Sequence, residues 1–385
     1  MLRQIFIVSA INFKSLRQRF WQSMVIVVGL AATVGVMLSM LSVSAGMRDA
    51  YVRAGDPNRA IVVSKGADQE GQSSISRATA PVIIDAPGIA KDKDGKPLAD
   101  RGIQMGIPVL RKDGSKGFTT MRGLADKGQG VRPELHIIQG RMFKPGKREL
   151  VVGVGANTLF QHMNVGDKVI LPDGQWPIVG IYATGDLLEG QVLGDTETLA
   201  AALHRTAYNT VLVRLASPQA LDTFKRALTT NPALSVTVER HSDWYKRVGN
   251  QNTFTLALLG YIVGSVMAIG ALFGCLNTMY AAVSTRGREI ATLRALGYGA
   301  FPVALSVIIE AVLLSVTGAL IGAAIAWVMN DGAQGVFGNT VFHLSVSPAQ
   351  IRLGVTWAVV VALLGGLAPS IAAARRPIID ALRAT

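Results

Sequence analysis

The sequence predicts an α+β membrane protein with four transmembrane helices. A large extracytoplasmic α/β domain is inserted between helices 1 and 2 on a helical stalk. Three observations carry this reading. Hydrophobic residues make up 50% of the 385, charged residues only 16%, and mean hydropathy is +0.36. A soluble domain rarely has that balance; a membrane protein with a sizeable aqueous part does. The apolar residues gather in four runs, starting near Met24, Phe254, Phe301 and Leu353, each long enough for the roughly 20 residues that cross a bilayer. Between the first two runs lies a long polar stretch, broken by Gly, Pro and Asp into short β-type segments.

Residues 1–20 read as a cytoplasmic amphipathic lead-in carrying Arg3, Lys14, Arg17 and Arg19. Residues 21–56 hold helix 1, apolar from Met24 to Ala45, with helical character continuing to Ala54 and stopping at Gly55-Asp-Pro57. The apolar core is too long, and the basic lead-in too extended, for a cleaved signal. A helix from Trp21 to Ala54 is roughly 50 Å long against a hydrocarbon core of about 30 Å, so its excess is expected to form a stalk. Residues 57–241 are the outer domain. Arg59–Ser64, Gly117–Arg122, Gly140–Phe143, Glu149–Gly153, Val165–Leu171, Trp176–Ile181 and Leu234–Glu239 read as strands; Pro81–Ile84 reads as a strand or a helix start. Ala216–Thr229 is a helix with Ala220, Leu221, Phe224 and Leu228 on one face.

Residues 242–283 supply the second half of the stalk and helix 2, with Ser242 as N-cap and Asp243 in the first turn. A short cytoplasmic helix is expected within 284–300, helix 3 at 301–329, an extracytoplasmic loop without Lys or Arg at 330–350, helix 4 at 351–374, and a basic tail at 375–385. The lead-in, the middle loop and the tail are basic and so belong inside, which puts both termini in the cytoplasm. Gly260 and Gly264, Gly270 and Gly274, and Gly318 and Gly322 are pairs four apart, expected to let helices approach closely.

The net charge of +13 does not point to nucleic acid. Arg48–Arg247 carries 27 basic and 21 acidic residues, a net of +6; the rest flanks the membrane runs, as the positive-inside bias produces. The lone Cys275 excludes an intrachain disulfide and a cysteine metal cluster. Gly66–Gly71 has P-loop spacing, but Gln72 stands where the phosphate-binding Lys would be. Gly153-Val-Gly155 reads as a turn. The five histidines are scattered and no Gly-x-Ser-x-Gly is present, so neither a catalytic site nor a metal or cofactor site is expected.

Thr285–Gly297 stands apart, a basic segment between two apolar runs. Ile290, Leu293 and Leu296 recur at steps of three, giving one apolar stripe, flanked by Arg286, Arg288, Glu289 and Arg294, with Gly297 and Gly299 as stops. Such a helix can lie along the membrane or dock into a partner; spacing alone also allows a solvated loop. Glu310 lies inside the third run, where a carboxylate costs about 2.5–3.5 kcal/mol on insertion scales. With no second intramembrane acid or His to complete a relay, a hydrogen bond between helices or a contact to the basic cytoplasmic segments is favoured over proton coupling or conformational signalling.

The run Arg288–Gly297, then Ile309-Glu-Ala-Val-Leu-Leu314, then Gly318-Ala-Leu-Ile-Gly322, resembles the FtsX-like ABC permease family, which includes MacB-type exporters and lipoprotein-release permeases. Gly140–Phe143, Glu149–Gly153, Val165–Leu171 and Trp176–Ile181, in this order, resemble the periplasmic core domain of MacB-type members. The resemblance implies a permease subunit in a bacterial inner membrane, its large domain periplasmic, that binds no cofactor itself. A separate ABC ATP-binding subunit would supply ATP and Mg. It implies that Arg286, Glu289, Ile290, Leu293, Arg294, Leu296 and Gly297 couple the chain to that subunit. It implies a second permease copy, as homodimer or related heterodimer, and an adaptor or lipoprotein carrier as further partner, serving efflux or lipid and lipoprotein export. The competing expectation is an FtsX-like non-transporting transducer that activates a partner such as a cell-wall hydrolase.

Overall fold

The computed structural model describes residues 20–125, 128–231, 234–337 and 340–375; the lead-in and nearly all of the basic tail lie outside them. The first apolar run and the polar turns after it make one helix, α1 (Phe20–Ala54). The outer domain follows as β1 (Arg59–Ser64), β2 (Ile75–Ser76), α2 (Thr79–Ile84), β3 (Ala99–Gly102), β4 (Gln104–Leu110), β5 (Lys116–Leu124), α3 (Gly128–Val131) and β6 (His136–Gly140). It continues through β7 (Leu150–Gly153), α4 (Val154–Leu159), β8 (Lys168–Leu171), β9 (Gly174–Ala183), β10 (Gln191–Asp195) and α5 (Thr196–Ala202). It closes with β11 (Ala207–Tyr208), β12 (Thr210–Arg214), α6 (Ala220–Thr229) and β13 (Val236–Arg240). Then come α7 (His241–Thr285), α8 (Gly287–Ala295), α9 (Ala300–Asn330), β14 (Gln334–Phe337), β15 (Thr340–His343) and α10 (Pro348–Arg375). Among the described residues α1, α7, α9 and α10 are long and apolar enough to cross a membrane, and the α/β domain is inserted between the first two.

The chain divides into two compact units. The membrane unit holds residues 20–45, 254–333 and 344–375; the outer unit holds 46–253 and 334–343. In the membrane unit Ile26, Leu30, Val34, Met37 and Leu41 recur along one face of α1 and pack with Val303, Val307, Ala311 and Ala319 of α9 and Ala358 and Ala362 of α10. The start of α10 is a capping box: the Ser347 hydroxyl accepts from the Gln350 N–H at 3.3 Å, and Gln350 accepts from the Ser347 N–H at 2.8 Å. Gln350 also donates to the Leu41 carbonyl at 3.0 Å, tying the end of the first apolar run to the fourth helix.

Among the described residues the outer unit has two larger sheets and two two-stranded ones, β11-β2 and β14-β15. Of the larger two, one runs β13-β1-β12-β3; the other, seven-stranded, runs β4-β5-β10-β7-β9-β6 with β8 on β9. The β5–β10 and β7–β9 pairs are parallel, the others antiparallel. The unbroken apolar run of β7 is covered on both faces, as such runs require. Leu150 and Val152 enter the main core with Trp176 and Phe224, while Val151 enters a second cluster with Phe143, Tyr182 and Leu193.

Several expectations are corrected. Gly140–Phe143 is not a strand. β6 ends at Gly140, whose φ of +74° turns the backbone, and a Cβ there would lie 2.3 Å from the Val179 carbonyl oxygen. Gly153-Val-Gly155 is the junction where β7 passes into α4, not a free turn. For Pro81–Ile84, read as a strand or a helix start, the second alternative holds: these residues lie in α2. Ser242 is not the N-cap of the second long helix, which already includes His241. The 330–350 segment is not a plain loop: β14 and β15 form an antiparallel hairpin belonging to the outer unit, with Phe342 buried there.

Candidate coupling site

α7 ends at Thr285, and Arg286, with φ −101° and ψ 9°, breaks the helical path before α8. Glu289 sits in the first turn of α8 and Arg294 in the last, each complementing the helix dipole. The helix closes on a Schellman motif: the Gly297 N–H donates to the Arg294 carbonyl at 3.1 Å and the Tyr298 N–H to the Leu293 carbonyl at 3.1 Å. That closure needs a left-handed residue, and Gly297 has φ +93°. α9 begins three residues later with Pro302 in its first turn, where a missing N–H costs nothing.

The inner side of α8 is fixed by two polar contacts. Arg286, 5% exposed, places Nη1 3.3 Å from Oε2 of Glu310, which is 8% exposed. Its Nε lies 3.5 Å from Glu289. Arg294 Nη1 donates to the Ala374 carbonyl at 3.0 Å, holding α8 to the last turn of α10. A small cavity of about 20 Å³ separates α7, α8 and α9, lined by Met279, Arg286, Ile290, Leu293, Val307 and Glu310 among others. Ile290 and Ala291 are buried, whereas Arg288, Glu289, Thr292, Ala295 and Leu296 face outward.

The sequence-predicted site residues therefore divide. Arg286, Ile290, Leu293, Arg294 and Glu310 come together on the inner side. Leu296 leaves the expected stripe: the helix ends at Ala295, and Leu296, as C-cap, is 72% exposed. Of the packing glycines, a Cβ on Gly318 or Gly322 would lie 2.5 Å and 2.2 Å from the Val27 and Ala31 carbonyl oxygens of α1. One on Gly264 would meet Met37 at 2.9 Å, and one on Gly260 would meet Met40 at 3.3 Å. A Cβ on Gly270 or Gly274 would meet nothing within 4 Å in this chain; the two lie beside the exposed Ile269 and Phe273. Among the described residues no group of three or more His, Cys, Asp or Glu could hold a metal ion. Sequence reading missed a buried polar cluster in the outer unit around Glu70, Asp100, Arg122 and Arg132, because its members are far apart in the chain.

Two family models match the chain: "MacB-like periplasmic core domain" over residues 23–231 and "FtsX-like permease C-terminal" over residues 261–378. No curated protein matches it. Solved structures similar to its outer region include the extracellular domain of the noncanonic ABC-type transporter YknZ from Gram-positive bacteria. That domain is 15% identical, with 47% of this chain and 100% of that one covered and a TM-score of 0.37. The periplasmic region of MacB from Actinobacillus actinomycetemcomitans is 13% identical over 51% of this chain and 94% of that one, with a TM-score of 0.39. A domain of a permease protein from Porphyromonas gingivalis is 16% identical over 47% and 87%, with a TM-score of 0.31. The assignment rests on the family models, the first of which alone spans more than half of the chain, and on the multi-pass architecture with its large extracytoplasmic domain. The chain belongs to the FtsX/MacB-like permease superfamily and is a permease subunit of an ABC-type transporter.

Proposed function

We propose that α8 is the element on which the partner ATPase acts, and that the chain converts ATP hydrolysis there into conformational change outside the membrane. One observation carries this reading. α8 is clamped on its inner side by Arg286–Glu310 and Arg294–Ala374, yet its outer side presents Arg288, Glu289 and a Leu296 that is 72% exposed. A large apolar side chain beside charges on a rigid helix suits a protein contact. Because the clamps join α8 to α9 and α10, a push on α8 moves the helices and does not bend a loop. ATP and Mg bind in the partner. α1 and α7 run without interruption from the membrane unit into the outer unit and carry the movement. Two permease chains, identical or related, meet two ATPase subunits, one α8 each. The substrate, in efflux or lipid and lipoprotein export, is handled by the outer domain together with an adaptor or carrier.

The test is Leu296→Asp. The side chain is exposed, so membrane insertion and folding stay intact. Co-purification of the ABC ATPase in mild detergent is expected to be lost, together with nucleotide-dependent change in the outer domain. Undiminished co-purification and activity would exclude α8 as the contact.

A further inference from the structure

His241, Trp244, Tyr245 and Val248 recur at helical spacing at the start of α7, and all four are buried. Tyr245 reaches a polar chain that crosses the seven-stranded sheet. Its hydroxyl donates to Glu70 Oε1 at 2.9 Å, and Glu70 Oε2 accepts from Arg122 Nη1 at 2.7 Å. Arg122 then uses its other two faces: Nε donates to Gln191 Oε1 at 3.0 Å and Nη2 to Gln104 Oε1 at 3.1 Å. Gln104, Arg122 and Gln191 stand on the adjacent strands β4, β5 and β10. A single carboxylate thus holds the helix with one oxygen and three strands, through one guanidinium fork, with the other.

Burial would raise the Glu70 carboxyl. The charge and hydrogen bond of Arg122, helped by Arg132 and Tyr245, more than offset this and hold it below the ordinary carboxylate range. Glu70 is therefore an anion within the domain. A buried ion pair is a weak source of net stability, and its best-attested use is to fix one geometry. The geometry fixed here is that of α7 against the sheet. α1 is held to the same part of α7, since Asn252 donates to the Tyr51 hydroxyl at 2.9 Å, and a Cβ on Gly249 would meet Tyr51 at 2.8 Å. Beside the chain of contacts lies a cavity of about 230 Å³, lined by Gln69, Thr120, Arg122, Trp244 and Tyr245 among others, which leaves room for these side chains to move.

We propose that Glu70 is the joint through which movement of α7 enters the seven-stranded sheet, a positioning residue that locks Tyr245 to Arg122. This rests on the coupling reading above. The experiment is hydrogen exchange on the full chain with its ATPase in nanodiscs, nucleotide-free and trapped with ATP and vanadate. Wild type is compared with Tyr245→Phe, which removes one hydroxyl, and Glu70→Gln, which keeps the shape and removes the charge. Nucleotide-free, both variants are expected to exchange the amides of the first two turns of α7 faster by on the order of tenfold, since a hydrogen bond to a charged group is lost or weakened. With vanadate, wild type is expected to change at both α8 and β5. The variants are expected to keep the change at α8 and lose the change at β5, an effect that simple loosening of the domain does not produce. A β5 change of wild-type size in both variants, or a wild-type response that stops short of β5, overturns the joint. No wild-type change at α8 overturns the coupling reading instead. The joint is then judged on the nucleotide-free data, where unaltered α7 exchange in Tyr245→Phe overturns it and the tenfold rise supports it.

Discussion

Replacing Arg286 by Met tests whether the contact between α8 and α9 is a structural pin. The Arg286 Nη1 to Glu310 Oε2 separation is 3.3 Å, and the two side chains are 6% and 9% exposed. At that distance and an effective dielectric of about 20, the attraction is about 5 kcal/mol. Desolvation of both ions offsets much of it, so the pair's net worth against an apolar replacement is near zero. Removing one partner is different, because the remaining charge loses its counter-ion in a buried site. Arg286→Met is therefore expected to destabilise by about 3–5 kcal/mol. Glu310→Leu should cost less, because Arg286 keeps Glu289 within 3.5 Å. The double replacement should return to within about 1–2 kcal/mol of wild type, since two apolar side chains then pack where the ions were. The assay is reversible unfolding of the purified chain in mixed detergent micelles, analysed as a double-mutant cycle. A coupling energy indistinguishable from zero, with Arg286→Met as stable as wild type, would refute the pin.

Gly322→Ala is expected to destabilise the contact between α1 and α9 by about 1–3 kcal/mol, because its methyl group would meet the Ala31 carbonyl, whereas Gly270→Ala should be tolerated; the same unfolding assay separates them. Glu70 has a depressed carboxyl in the folded chain, so its contribution to stability is full above the unfolded carboxylate range and is lost as pH falls through its lower folded value. The stability gap between wild type and Glu70→Gln, followed by hydrogen exchange of β5, should accordingly narrow as pH drops below about 4. Asp100, whose carboxyl burial pushes up, works in the opposite direction, and because the Glu70 charge adds to that rise, Glu70→Gln lowers the Asp100 carboxyl as well. Leu296→Asp should abolish ATPase co-purification while leaving the unfolding midpoint unchanged.

The spans, the inserted domain and the short basic helix were all legible in the sequence because each rests on local pattern. Hydropathy over a window marks a bilayer crossing whatever it packs against, and Gly297 after a three-residue apolar step marks a helix end. Strands covered on both faces, such as β7, were legible from their unbroken apolar runs. β10 and β12 were not read, and neither was the hairpin β14–β15, since short polar-flanked segments become strands only when a partner supplies the hydrogen bonds. The same limit applied to side-chain direction. Two steps of three placed Leu296 with Ile290, but the Schellman closure ended the helix first and turned Leu296 outward. Equal spacing could not tell Gly318 and Gly322, pressed against α1, from Gly270 and Gly274, which face open space.

Composition and periodicity thus determined where the chain is apolar, where it bends and which residues carry charge. Tertiary structure alone decided which charges meet. Glu310 finds Arg286 across 24 residues and Glu70 finds Arg122 across 52 and Tyr245 across 175. The sequence holds these groups without their separations, and a buried charge depends on a partner within a few ångströms, a distance that only the folded chain sets.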